Sequence, residues 1–278
     1  MADGSRALVA REAGIAPDAG LPMTESRCTF HFYRHAMAVI SLGGVRMLVD
    51  PMNQKAGRLP PVPSVMDFRW NPIQELTLPF PRLTSNDILL ITHHHFDHFD
   101  RAASLEIDKT IPVVTPENGV RRLQRWGFKN IHPLRPLQRT TIGEIEIEAV
   151  PVKHTERLGK LLYKPGVGYL IGANNKTVYI SGDTILFDGL LNCLKDVRID
   201  LAVLYGGGAR IPLLGRHTLS HREIISMVRS IKPGLAVVTH LDCLNHCPET
   251  SDQLSEMLNK DASDLPIRIA EPGREYSF

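Results

Sequence analysis

The chain has 278 residues, 43% of them hydrophobic and 22% charged, with a formal net charge of +2. This is globular composition, long enough for a sizeable core, and the spread of Lys and Arg leaves no basic stripe for nucleic acid or an anionic membrane. The longest apolar runs are strand-sized, far short of the ~20 residues of a membrane helix, and no basic head followed by an apolar stretch marks a secretory signal.

The cysteines, Cys28, Cys193, Cys243 and Cys247, are too sparse for a disulfide framework, so a reducing, cytoplasmic setting is expected. Residues 1–26 lack apolar periodicity and read as a flexible leader, with Met23 as an alternative start. Residues 27–278 are expected to form one domain. Thr29–Tyr33, Met37–Leu42 and Val45–Val49 read as short strands, the last two joined by a tight Gly43-Gly44 hairpin. Asp50-Pro51 closes this unit.

Residues 51–86 carry seven prolines and no clear period. Proline removes donors and breaks ladders, yet Met52, Met66, Phe68, Trp70 and Phe80 give the segment apolar character. It reads as a flap inserted into the domain, with an apolar face. Asp87–Ile91 is a continuous apolar strand, suited to a sheet covered on both faces. Thr115-Pro116 is expected to open a helix, with Pro at its first position and Gly127 as terminator.

Residues 144–149 alternate as a half-buried strand, and Val167–Ile171 and Thr177–Ile180 read as a hairpin around Asn174-Asn175. Leu201–Leu204 is a buried strand. Ser220 and Glu223 have capping-box spacing ahead of the apolar face Ile224, Met227, Val228 and Ile231. Leu235–Val238 is a strand leading to His240, and Thr250–Asn259 is a capped amphipathic helix. Strands and helices therefore occur in two rounds, roughly 28–135 and 139–270, which predicts an α/β fold with sheets inside and helices outside.

Four of the 12 histidines fall between residues 93 and 98. Buried imidazoles need polar partners, so clustering for packing alone is disfavoured. The segment Thr92-His93-His94-His95-Phe96-Asp97-His98-Phe99-Asp100 contains H-x-H-x-D-H. Alternate residues of an extended loop project to one side, so His93 and His95 can grip one metal while Asp97 and His98 aim at a second. His94 points away, toward packing or a surface hydrogen bond. Imidazole and carboxylate together suit zinc, iron or manganese.

This motif resembles the metal signature of the metallo-β-lactamase superfamily, and the resemblance spans roughly residues 28–270. It implies a four-layer αββα sandwich of two internally similar halves. It also implies a histidine after a later strand, matched by His154 in Val152-Lys153-His154-Thr155, and a bridging aspartate, matched by Asp183 in Ser181-Gly182-Asp183-Thr184. A last histidine is matched by His240 in Val238-Thr239-His240-Leu241. The implied assignment gives one metal His93, His95 and His154, and the other Asp97, His98 and His240. Asp183 and a water or hydroxide lie between. Asp97 is also the implied residue to orient the nucleophile or carry a proton.

Asp50 resembles the family aspartate that supports the metal loop, and strand termination before proline is the competing reading; Asp100 is a similar case. His217 lies where hydrolytic branches place a histidine against substrate or leaving group, with a helix-start hydrogen bond as the alternative. His35, in Tyr33-Arg34-His35-Ala36, resembles the Gly-His-Ala turn of lactonase-like members, with Arg34 in place of glycine. His240, Cys243, His246 and Cys247 form a rival zinc set lacking a paired C-x-x-C. Gly206-Gly207-Gly208 lacks the Lys-Ser/Thr of a phosphate loop and reads as a turn where backbone approaches the site.

The motifs are similar to two branches, one ascorbate-6-phosphate lactonase-like and one containing N-acyl phosphatidylethanolamine phospholipase D. The expected function is hydrolysis of a small-molecule ester, lactone or phosphodiester by a metal-activated water. Two divalent metals are expected, zinc first, manganese or iron otherwise, in a chain that can form a homo-oligomer. Arg210 and Arg216 could meet an anionic group. The alternatives are a nuclease, which lacks its basic stripe here, and an iron oxidoreductase. Flavin-linked di-iron members have Glu where this chain has His95 and carry a flavin domain, whereas a mononuclear iron dioxygenase stays open.

Overall fold

Glycines at positive φ turn the chain back between β2 (Met37–Leu42) and β3 (Val45–Val49), with Gly43 at 58° and Gly44 at 76°. Such values match the right-handed twist of flanking strands. The computed structural model describes residues 28–64, 67–155 and 166–278. The leader expected over residues 1–26 and Met66 of the flap lie outside the described residues.

β1 (Thr29–Arg34), β2 and β3 continue into β4 (Ile88–Leu90), β5 (Val113–Pro116) and β6 (Ile131–Leu134). The second round holds β7 (Arg139–Ile142), β8 (Ile145–Pro151), β9 (Val167–Ala173), β10 (Lys176–Ile180) and β11 (Leu201–Tyr205). A small ribbon, β12 (Arg210–Ile211) with β13 (Gly215–Arg216), precedes β14 (Leu235–Thr239), β15 (Ile267–Ile269) and β16 (Glu275–Ser277). The β9–β10 turn is Asn174-Asn175, at φ 50° and 59°.

The strands form two seven-stranded sheets, ordered β16-β1-β2-β3-β4-β5-β6 and β15-β14-β11-β10-β9-β8-β7. The sequence rounds thus correspond to the sheets, except that β16 returns to pair with β1 in the first sheet. Phe30, Ile40, Met47, Leu90, Ile147, Tyr169, Ile171 and Val203 interleave between the sheets. α1 (Arg101–Glu106) and α2 (Val120–Arg125) cover the outer face of the first sheet through Ala103 and Leu123. α3 (Asp188–Leu194), α4 (His221–Ile231) and α5 (Ser251–Asp261) cover the second through Leu190, Ile224, Val228 and Leu254. The result is the expected αββα order. Capping boxes at Ser220–Glu223 and Thr250–Gln253 start α4 and α5. No helix among the described residues is long and apolar enough to cross a membrane.

One expected boundary moves. Pro116 ends β5 instead of opening a helix, and α2 begins only after a 3₁₀ turn over Glu117–Gly119. Pro116 stays extended, at ψ 144°, because it still pairs with Leu134 of β6. The His94 ring packs against Gly119, where a Cβ would collide with it. Gly127, at φ 91°, does end the helical segment.

Among its described residues, the flap between β3 and β4 holds no strand, only an isolated bridge from Leu59 to Asn71. Leu76, Phe80 and Leu83 pack against the outer core of the first sheet, Met52 is fully buried, and Phe68 and Trp70 are exposed. Two polar clasps hold it. Arg34, almost fully buried, donates from Nη2 to the carbonyls of Met52 and Gln54 (2.8 and 3.0 Å) and from Nη1 to that of Gln74 (3.1 Å). Asn245, on the loop after β14, donates from Nδ2 to the carbonyls of Val62 and Asp67, while its Oδ1 accepts from Val62 N and Asn71 Nδ2. Net hydrogen bonds in buried networks are worth about 1 kcal/mol each, and more when partners are left unsatisfied. Asn245→Ala is therefore expected to cost about 3 kcal/mol in urea unfolding and to speed proteolytic cleavage within residues 59–71; cleavage at the wild-type rate would show that the clasp does not hold the flap.

Candidate metal centre

The histidine-bearing turns emerge at one edge of the sandwich, where strands from both sheets end. Asp50 follows β3, the Thr92–His98 loop follows β4, His154 follows β8, Asp183 follows β10, Tyr205 ends β11 and His240 follows β14. His35 occupies the β1–β2 turn. His35, Asp50 and His240 each sit at positive φ, 58°, 41° and 65°. Non-glycine residues seldom adopt this conformation, and where they do the surroundings hold them there. At His35 the holding contact is explicit: His240 N donates to His35 O at 2.8 Å.

Two sets of ligand atoms result. His93, His95, His154 and Asp183 form one, and His35, Asp97, His98 and His240 the other; within each, the candidate atoms lie within 4.8 Å of one another. The carboxylate of Asp183 faces both sets. Its Oδ2 is 3.5 Å from His93 Nε2 and 3.9 Å from His154 Nδ1, while its Oδ1 is 3.3 Å from His98 Nε2 and 3.4 Å from His240 Nε2. Asp97 Oδ2 lies 3.2 Å from His35 Nε2, 3.4 Å from His98 Nε2 and 3.8 Å from His240 Nε2. Yet His93 Nε2, His98 Nε2, His240 Nε2 and Asp183 Oδ1 are buried and make no hydrogen bond among the described residues. Buried polar atoms are otherwise almost always paired. Close approach without hydrogen bonding means that these atoms point at shared centres, which is how ligands to a cation are arranged. The donor set of imidazoles and carboxylates fits zinc, manganese or iron.

Electrostatics agree with that reading. Burial pushes the pKa values of His35, His93, His95, His154 and His240 down, keeping them neutral with a lone pair to offer. Burial also opposes charge on Asp97 and Asp183, but the adjacent His98 holds both well below the usual carboxylate range. His98 itself is raised well above normal, because the attraction of Asp183, Asp97 and Asp50 overcomes its burial. The negative charge gathered around His98 is what a bound cation would offset.

Asp50 resolves in favour of support. Its Oδ1 accepts from Thr92 N at 2.7 Å, and its Oδ2 contacts Thr92 Oγ1 (2.6 Å), His98 Nδ1 (2.9 Å) and Tyr205 OH (2.9 Å). Occupying His98 Nδ1 turns Nε2 toward the centre. Asp100 instead caps α1 through Ala103 N and accepts from Gln54 N, so it fixes loop and flap. His94 contacts Thr115 Oγ1 at 2.7 Å, away from both sets. His217 lies beside the centre, its Nδ1 2.7 Å from His154 O.

The rival set of His240, Cys243, His246 and Cys247 is not among the metal-capable groups of the described residues. Cys243 is buried near Arg34, and Cys247 Sγ lies 3.8 Å from His240 Nδ1, behind the ring. Gly207 marks the expected close backbone approach: a Cβ there would sit 2.9 Å from His240 O. The sequence did not point to Tyr205 or Thr92, or to His35 as a member of a metal-capable set. Tyr205 carried a usable signal, because a tyrosine ending an apolar run must find its hydroxyl a partner once buried.

The model of the Beta-lactamase superfamily domain matches residues 46–241, and the chain belongs to this family. It is 23% identical over 250 residues to the UPF0173 protein YddR of Bacillus subtilis, covering 88% of this chain and 98% of that one. It is 26% identical over 245 residues to a UPF0173 metal-dependent hydrolase of Caldivirga maquilingensis, covering 86% and 93%. The crystal structure of an isothiocyanate hydrolase from Delia radicum gut bacteria superposes with a TM-score of 0.80 at 24% identity, covering 90% of this chain and 99% of that one. Fold, donor set and relatives together make the protein a metal-dependent hydrolase of the metallo-β-lactamase fold.

Removing Asp50 leaves His98 Nδ1 and Tyr205 OH without their acceptor. Asp50→Ala is expected to weaken metal affinity about 10- to 100-fold, read by competition with a chelating dye. Unchanged affinity would show that the carboxylate does not set the ligand geometry.

Proposed function

We propose that the chain hydrolyses a small organic ester, lactone or phosphodiester at a centre of two divalent cations, zinc first and manganese or iron otherwise. In this reading His93, His95 and His154 would hold one cation and Asp97, His98 and His240 the other, with Asp183 facing both sets and His35 beside the second. The observation that carries it is Asp183, whose two oxygens face different histidine sets and whose buried Oδ1 makes no hydrogen bond among the described residues.

When bound, such cations supply Lewis acidity and bring the pKa of a water toward neutrality. The chain's own groups do the rest. Asp97, kept ionised and steadied by His35 at 3.2 Å, orients the attacking water and takes its proton. His217, anchored through Nδ1 to His154 O, presents its ring to the leaving group. Asp50 and Tyr205 fix the His98 ring, so no reorganisation accompanies the reaction. The motif similarity supports the lactonase-like and phospholipase-D-like branches as guides to substrate. The isothiocyanate hydrolase that shares the fold adds another small electrophile.

The test is a panel of lactones, carboxylic esters, phosphodiesters, phosphomonoesters and an isothiocyanate, run with Zn, Mn and Fe after chelator stripping. Stripped protein should be inactive and metal should restore turnover. A fully loaded protein without turnover on the whole panel would contradict the reading. Asp183→Ala should drop metal content from two per chain toward one and lower kcat by about 10³-fold or more, with the circular dichroism spectrum unchanged. Two retained metals at wild-type kcat would remove Asp183 from the centre.

A further inference from the structure

The three turns that carry the second ligand set are gripped by one stretch of the flap. His35 lies between β1 and β2, Asp97 and His98 follow β4, and His240 follows β14. Beside His35, the buried Arg34 guanidinium donates to the carbonyls of Met52, Gln54 and Gln74. Two residues after His98, Asp100 Oδ2 accepts from Gln54 N at 2.8 Å. Beyond His240, Cys243 O accepts from Ile73 N at 2.7 Å. Asn245 and the fully buried Asn71 then exchange a pair of hydrogen bonds, Asn245 N to Asn71 Oδ1 at 3.0 Å and Asn71 Nδ2 to Asn245 Oδ1 at 2.8 Å.

The same stretch is tied within itself. Leu59 and Asn71 exchange backbone hydrogen bonds of 2.8 Å, and Gly57 N donates to Pro72 O at 2.9 Å. Residues 52–62 and 67–74 thus form one strap joined to all three turns. The rest of the flap is held elsewhere. Leu76, Phe80 and Leu83 pack against the outer core of the first sheet, and Asp87 accepts from Thr84 N at 2.6 Å and pairs with Arg46 of β3.

The three turns need a brace. His35, His240 and Asp242 sit at positive φ, 58°, 65° and 58°, a conformation that surroundings must impose on non-glycine residues. His35 Nδ1, His98 Nε2 and His240 Nε2 are buried and make no hydrogen bond among the described residues. Buried polar atoms left so are costly, and nothing inside the ligand set offsets that cost until a cation binds. A cation favours the assembled turns over opened ones, and a ligand shifts any equilibrium by that difference in affinity. The strap is anchored on those turns, so its order follows theirs. Such coupling is reciprocal.

We infer that residues 52–62 and 67–74 brace the second ligand set, with Arg34 and Asn71 as positioning residues, so that cation binding there and order in the strap strengthen each other. The inference rests on the two-cation reading above and deepens it. Arg34 acts through the His35 turn and Asn71 through the loop after His240; neither belongs to a ligand set.

The experiment compares the full chain stripped by chelator with the same chain reloaded with zinc. Amide hydrogen exchange reads the strap, and zinc titration against a chelating dye reads the two affinities. The amides of Gln54, Gly57, Leu59, Val62, Asn71 and Ile73 should exchange about tenfold faster in the stripped protein, with those of Thr84 and Asp87 unaffected. Asn71→Ala removes strap bonds and no ligand. It should speed strap exchange and weaken one of the two zinc affinities about tenfold. Arg34→Met should do the same, with part of the loss recovered in Arg34→Lys. Should Arg34→Met fail to fold, Asn71→Ala decides alone. Equal strap exchange in stripped and loaded protein overturns the coupling. So does Asn71→Ala with strap exchange at the wild-type rate, or with a loosened strap and both zinc affinities unchanged. Each of these results leaves two bound zinc ions and the hydrolase reading standing. A chain that takes up no zinc overturns both.

Discussion

One buried carboxylate joins the two sheets where the site is built. Asp50 ends β3 in the first sheet and accepts from Thr92 N and Oγ1 in the loop after β4, while Tyr205 OH reaches it from β11 of the second sheet. Its remaining contact, with His98 Nδ1, sets the face that this ring turns toward the centre. Removing a carboxylate from water costs several kcal/mol unless its oxygens are satisfied. Here both are, so the cost is converted into a fixed geometry. Every later feature inherits that geometry: the His98 ring faces Asp183 and Asp97, and Asp183 in turn spans both histidine sets.

Part of this was legible in the chain because it is written locally: the H-x-H-x-D-H run and the strands that precede it and the later turns. His154, Asp183 and His240 were singled out by the family resemblance rather than by local pattern, since an isolated histidine or aspartate at a strand end has ordinary structural uses. The capping boxes of α4 and α5 and the turns at Gly43-Gly44 and Asn174-Asn175 are equally local. What escaped depends on distant contacts. His35 joins Asp97 only because its turn adopts positive φ and is held by His240 N. The late start of α2 depends on Pro116 pairing with Leu134 of β6, 18 residues further on. β16 crosses to the first sheet by pairing with β1, which no sequence period announces.

The fastening of the segment between β3 and β4 was invisible in the sequence. Arg34 stands where the resembling lactonase-like turn has glycine, and its guanidinium collects carbonyls from both ends of the flap. The residue before His35 therefore links flap position to the metal-capable turn. Asn245 does the same from the loop after His240. Phe68 and Trp70 stay exposed on the segment so held. Fold and centre are common to many hydrolases, so the chemistry of choice among substrates lies in these added pieces.

The proposed function depends on Asp183 serving both ligand sets at once. Anomalous diffraction from crystals grown with zinc reads it directly. The account predicts two peaks, one among His93, His95 and His154 and the other among Asp97, His98 and His240, with an Asp183 oxygen on each. A single peak without Asp183, or metal held by Cys243, His246 and Cys247 instead, would contradict it.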